Sequence, residues 1–449
     1  MKKCICISLA ASCMHMLYAD VYFNSKTFSQ SEKIDDNVII GHENATDGGD
    51  PANALVTVKS GAAWTNTKQV ILGKYAGTAQ LTVESGASVN FNTLLMANEY
   101  STHCRGILEL PNNAVVSVSG ITAPGKSNAK SYIHISNGAV ISNVCGFVLG
   151  NRFAGNASLE LEGGSLFFDS TENAHGISMT VGLNAGISSG VISGYGFVGF
   201  DNAGSIMNEY SKLGRDYWGG FVLCGQVIAD GKGSERDLDF SKMGVPTNTV
   251  SRNTCGTNGY YAVNKGRLLL PRSLPRKGNH ICVGGFPSAS DAQEVNTFTY
   301  KFDQATHLKT GKYVISELYA TDREDIPMGL PSGSRSRFFK SSVWRIGYFG
   351  SISTIRNHAL APRHKVDFKT VNLRFHYDPR LARIEDVDII KVYRYANAES
   401  GWTCVGTANP SDRQPYIQTE DFEPASELYN FGWFAIVGEK QVGTVVVVR

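Results

Sequence analysis

Leu81-Thr82-Val83-Glu84-Ser85-Gly86-Ala87 is the stretch that decides the fold. Leu81 and Val83 stand two apart, as on a strand with one buried face. Gly86 follows, a residue that tolerates a left-handed backbone at a tight turn. Ala87 is small, and two positions later Val89 is large and apolar. The same succession begins at Leu55, Leu108, Ile133 and Leu159, with turn anchors at Gly61, Gly86, Asn113, Gly138 and Gly164. These anchors are 25, 27, 25 and 26 residues apart. The inward pairs are Val56/Val58, Leu81/Val83, Leu108/Leu110, Ile133/Ile135 and Leu159/Leu161, and the large residues after each turn are Trp64, Val89, Val116, Ile141 and Phe167.

A third short strand closes most units: Val70-x-Leu72-Gly73, Leu94-x-Met96-Ala97, Phe147-x-Leu149-Gly150 and Met179-x-Val181-Gly182. Val38-x-Ile40-Gly41 matches the end of an earlier, partial unit. Three short strands per unit, each with one inward stripe, predict an all-β chain built as a parallel β-solenoid. One unit cannot bury its own stripe, so stability requires stacking, and both ends of the stack need cover. An antiparallel sandwich also alternates, with strands at shorter spacing. The constant register of the small residue after each turn favours the solenoid.

Beyond Gly182 the pattern loosens, and Gly190–Gly199, Gly220–Gly225 and Gln226–Gly231 read as late or capping coils. The predicted organisation is a solenoid over 20–271, a Pro/Gly/Ser-rich linker over 272–293 and a β-sandwich over 294–449. In the last region Asn296/Phe298/Tyr300/Phe302 and Val371/Leu373/Phe375 alternate with no visible repeat.

Residues 1–19 read as a secretory signal peptide. Lys2 and Lys3 precede an apolar stretch to Leu17, too short for a stable membrane span, and Leu17-Tyr18-Ala19 serves as the cleavage site. No later run is long enough to predict a transmembrane helix. Export to the extracellular space, the cell surface or the periplasm follows. It permits disulfides among Cys104, Cys145, Cys224, Cys255, Cys282 and Cys404, whose pairing spacing alone does not fix.

The whole chain carries 42 basic and 40 acidic residues, so its charge points to no nucleic-acid partner. No C-x-x-C pair, G-x-S-x-G elbow, P-loop or H-E-x-x-H is present, and neither a metal nor a cofactor is expected. Asp47 and Asp50 suit either a Ca²⁺ loop or a plain turn. Glu84 and Glu162 hold the same repeat position too many units apart for a catalytic dyad. Glu160 and Glu162 flank Leu161 and face outward, as does His134 between Ile133 and Ile135. Tyr75, Tyr100 and Phe153 follow third strands at near-equivalent positions, where stacked rings suit sugar faces or corner packing.

Leu81–Ala87, Leu159–Ser165 and Val70-Ile71-Leu72-Gly73 resemble the passenger repeats of bacterial autotransporters and related secreted repeat proteins. Val387–Tyr395, Gly401-Trp402-Thr403 and Phe431–Val437 resemble the small sandwich that ends such proteins. The resemblance implies a right-handed β-helix, an architecture shared by proteins of different activity. The regular ladder and the lack of a catalytic constellation point to a non-catalytic, adhesin-like or structural role toward an extracellular glycan or cell-surface component. The resemblance departs in one respect: the stretch after residue 294 is too short for a full translocator barrel. β-Helices also serve polysaccharide lyases and glycoside hydrolases, which is the enzymatic alternative.

Overall fold

The computed structural model of the chain describes residues 20–74, 77–97, 104–124, 130–143, 146–150, 156–168, 177–181, 190–200, 220–223, 226–231, 236–240, 260–265, 267–273, 280–283, 297–302, 313–319, 337–349, 371–376, 388–408, 416–422 and 430–439. Among these residues the regular structure is entirely β.

Most strands belong to one long parallel sheet, nearly closed on itself and consistent with a solenoid. Its strands form three columns. The first runs through Ser25–Phe28, Asn53–Val58, Gly77–Val83, Cys104–Leu110 and Lys130–Ser136. It continues through the first halves of Asn156–Phe168 and Gly190–Phe200, then Gln226–Asp230 and Tyr260–Lys265. The second column begins at Glu32–Ile34 and passes through the first halves of Ala63–Leu72 and Ser88–Met96 to Val115–Val118 and Val140–Asn143. It ends through the second halves of Asn156–Phe168 and Gly190–Phe200 at Leu238–Asp239 and Arg267–Ser273. The third starts with Val21–Phe23, Val38–Ile40 and the second halves of Ala63–Leu72 and Ser88–Met96. Ile121–Pro124, Gly146–Leu149, Ile177–Val181 and Gly220–Leu223 complete it.

Register places like on like. Val56, Leu81, Leu108, Ile133, Leu159, Ile192 and Val227 stack as one inward line, each with 0% exposure. Trp64, Val89, Val116, Ile141, Leu166 and Val198 form a second buried line. These aliphatic ladders supply the apolar burial that no single unit achieves alone. Near the first units the line turns aromatic. Phe28 stacks on Trp64 at 4.7 Å, and Trp64 meets Phe91 edge-on at 4.8 Å.

Gly61, Gly86, Asn113 and Gly138 have φ of 78°, 74°, 61° and 74°. In the fifth unit the left-handed residue is Gly163, with φ 82°, rather than Gly164. The turn there is one residue shorter, with Gly164 close against Ile135 and Gly163 close against the Asn137 side chain. The buried residue after that turn is accordingly Leu166, while Phe167 is only half-buried.

Past the parallel stack the pairing changes sense. Arg267–Ser273 lies parallel to Leu238–Asp239 on one edge and antiparallel to Tyr313–Tyr319 on the other. Arg337–Phe349, Asn430–Glu439, Ile389–Tyr395 and Trp402–Ala408 extend this antiparallel section in that order. A separate antiparallel sheet holds His280–Val283, Thr297–Phe302, Val371–His376 and Tyr416–Gln418. Leu373, Phe375 and Ile417 of this sheet share a core with Ile390, Val392, Phe434 and Ile436. The rings of Phe375 and Phe434 lie 5.4 Å apart. The stretch 272–293, read as a linker, contributes strand residues to both sheets.

Candidate functional site

Alternation along the first column sends the residues between buried positions outward. One outward row is Thr27, Thr57, Thr82, Glu109, His134, Glu160 and Ser193, each opposite the next. At its centre, three successive strands bring together Glu109, Tyr132, His134, Glu160 and Glu162. His134 Nδ1 lies 3.0 Å from Glu109 Oε2, and its Nε2 lies 3.4 Å from Glu162 Oε2. The Tyr132 hydroxyl donates to Glu160 Oε2 at 2.5 Å. The Tyr132 and His134 rings lie nearly parallel, with centroids 6.2 Å apart.

The chemistry of this cluster follows from its donors. A neutral imidazole has one N–H and one lone pair, so His134 donates to only one of its two carboxylates; the doubly protonated ring donates to both. Burial, and then the Glu160 carboxylate, push the Tyr132 phenol well above its ordinary value. The hydroxyl is thereby held as a donor. Glu162 is more open than its neighbours on His134, with 43% of its side chain exposed, against 29% for Glu109 and 23% for His134. Together the five residues present carboxylates, an imidazole and a phenol on one strand face, a set suited to hydrogen-bonding a polyhydroxylated or cationic surface.

The other acids are used structurally. Glu84 Oε1 accepts from Lys59 Nζ at 2.6 Å and Glu84 Oε2 from the Ser60 amide at 3.2 Å. The Lys59 contact first, then the amide, hold its carboxyl below the usual range. Asp47 Oδ2 accepts the Asn24 and Ser25 amides at 2.7 and 2.6 Å, and Asp50 Oδ1 accepts the Ala52 amide at 2.9 Å. Both acids close turns, and among the described residues no group of three or more His, Cys, Asp or Glu is arranged to hold a metal. Beside them, His42 stacks on Tyr22 at 4.1 Å, and its Nδ1 accepts the Asn44 amide at 2.9 Å. Burial, and then the charge of Lys74, keep the His42 imidazole below its ordinary pKa.

Tyr75, Tyr100 and Phe153, the residues read as glycan contacts, lie outside the described residues, as do the signal segment 1–19 and Cys145, Cys224 and Cys255. Cys104 is a buried thiol donating to Gly73 O at 2.6 Å, and Cys404 is an exposed thiol. No helix among the described residues is long and apolar enough to cross a membrane.

Alternation alone places Glu160 and Glu162 together on the outward face, and His134 on the same kind of face, but does not bring His134 to them or link any of the three to Glu109 and Tyr132. Their partners are a full unit away in sequence. The available signal was the repeat alignment, which puts Glu109, His134 and Glu160 at one position. Comparison of the chain with protein-family models, curated proteins and solved structures gives no match.

Proposed function

We propose that the chain is an exported β-solenoid, right-handed as in the passenger repeats it resembles, followed by a C-terminal β-sandwich. In this proposal it acts without catalysis, as a structural or adhesin-like component outside the cytoplasm. The solenoid is a stiff spacer whose outer face meets an extracellular glycan or a cell-surface component. The observation that carries this is the unbroken inward line from Val56 to Val227, each residue in register with the next. A filled, continuous ladder makes a rod whose side chains are displayed at fixed spacing, which suits multivalent contact with a repeating polymer.

A second function, polysaccharide lyase or glycoside hydrolase of β-helix type, is favoured by one specific feature. Glu109 and Glu162 face each other across the imidazole of His134, and Tyr132 stands beside them. Carboxylate, imidazole and phenol are the groups that acid–base cleavage of a glycan employs.

The test is to incubate the purified chain from residue 20 onward with a panel of extracellular polysaccharides. New chain ends and polymer binding are then measured side by side. The proposal expects binding without turnover. Turnover that disappears in Glu109→Gln or His134→Ala overturns it in favour of the enzyme.

A further inference from the structure

The first unit breaks the pattern of every unit above it. Lys26 pairs with Val56 and so occupies the inward line that continues as Leu81, Leu108, Ile133, Leu159, Ile192 and Val227. Glu32 pairs with Trp64 and occupies the other line, which continues as Val89, Val116, Ile141, Leu166 and Val198. Two positions that are apolar throughout the stack are thus a cation and an anion in its terminal unit. They meet each other: Lys26 Nζ is 3.3 Å from Glu32 Oε2. The ammonium also lies 5.0 Å from the centroid of the Phe28 ring and 5.6 Å from that of Phe23. Phe28, though in the outermost unit, is only 1% exposed.

Among the described residues, the backbone beside this pair is an edge: no strand pairs with the outer side of Ser25–Phe28 or Glu32–Ile34. Such an edge is a template for another chain unless something opposes addition, and inward-pointing charges are one known deterrent. The opposite end of the second column is closed differently, by the antiparallel strand Tyr313–Tyr319 on Arg267–Ser273. At the corner of the first unit, Asp47 takes up the Asn24 and Ser25 amides.

We propose that Lys26 and Glu32 form an ionic lid over the bore, and that this lid prevents a second copy of the chain from stacking end-on against the first unit. A stacked copy would bury both charged groups and strip their water, a cost that the ladder hydrogen bonds gained do not offset. With apolar residues at both positions, the end would present a continuation of the inward lines to any neighbouring copy.

The experiment is sedimentation of the chain from residue 20 onward across the micromolar range, as wild type, as Lys26→Leu/Glu32→Leu and as the swap Lys26→Glu/Glu32→Lys. The wild type and the swap should sediment as monomers, and the double leucine variant should at least double its mass. A double leucine variant with native circular dichroism that stays monomeric overturns the proposal. So does a wild type that self-associates through this end. A second measurement does not depend on that variant folding. In a Cys404→Ser background, Ser25→Cys places a thiol on the first unit. No disulfide-linked dimer beyond that of the background should form on oxidation, and a Ser25→Cys dimer overturns the lid.

Discussion

Gly61 and Gly138 carry nearly the same backbone angle, φ 78° and 74°, but different surroundings. A methyl group at Gly61 meets nothing within 4 Å, whereas at Gly138 it collides with Oδ1 of Asn113, the turn residue one unit earlier. Gly61→Ala should therefore cost about 1 kcal/mol, the left-handed penalty alone. Gly138→Ala should cost about 1–2 kcal/mol, since the same backbone strain applies and Oδ1, the far end of a flexible side chain, swings aside. Urea denaturation midpoints of the two variants check this, and no loss in either would mean that these turns are not left-handed. The same local logic governs His42. Its Nδ1 already accepts the Asn44 amide, so a proton there would displace a backbone bond as well as charge a buried ring.

Each strand of the first column has two faces with opposite energetics. Leu81 is fully buried on the inward line, while Leu55, one unit earlier and on the outward face, is 47% exposed. Leu81→Ala should destabilise by about 2–5 kcal/mol, as core truncations do. Leu55→Ala should stay within about 0.5 kcal/mol of wild type. Calorimetric unfolding of the pair distinguishes these, and comparable losses would show that the faces are misassigned. The inward residues of the middle units were legible because two-residue alternation and a recurring Gly or Asn agree in every unit. The first unit was not. Its inward positions hold Lys26 and Glu32, so alternation of hydrophobicity fails where the strand is real, and only Val38 and Ile40 betrayed an earlier unit. The fifth turn is ambiguous by one residue, since the sequence offers two adjacent glycines and either can take the left-handed conformation. The cluster around His134 was hidden for a third reason. Its contacts join residues a whole unit apart, and they become visible only once strand register is known.

At the scale of the molecule, the change from parallel to antiparallel pairing at Arg267–Ser273 ends the stack. One strand uses its two edges in opposite senses and ties the repeats to the antiparallel section. Nothing in the residues 267–273 announces that change, because hydrogen-bonding sense depends on which strand arrives and not on the side chains of the strand that receives it. The alternating segments Thr297–Phe302 and Val371–His376 were legible as strands, but their place in a separate four-stranded sheet was not. In this fold the units pile in parallel, one strand spacing at a time. Pairs of spin labels on the outward row measure it directly: Thr57 with Glu160, Thr57 with Ser193, and Thr27 with Ser193 span four, five and six steps of the register. At ~4.8 Å per step, the account predicts backbone separations of roughly 19, 24 and 29 Å, rising linearly. Distances that fail to rise with step number, as in a set of up-and-down hairpins, would contradict it.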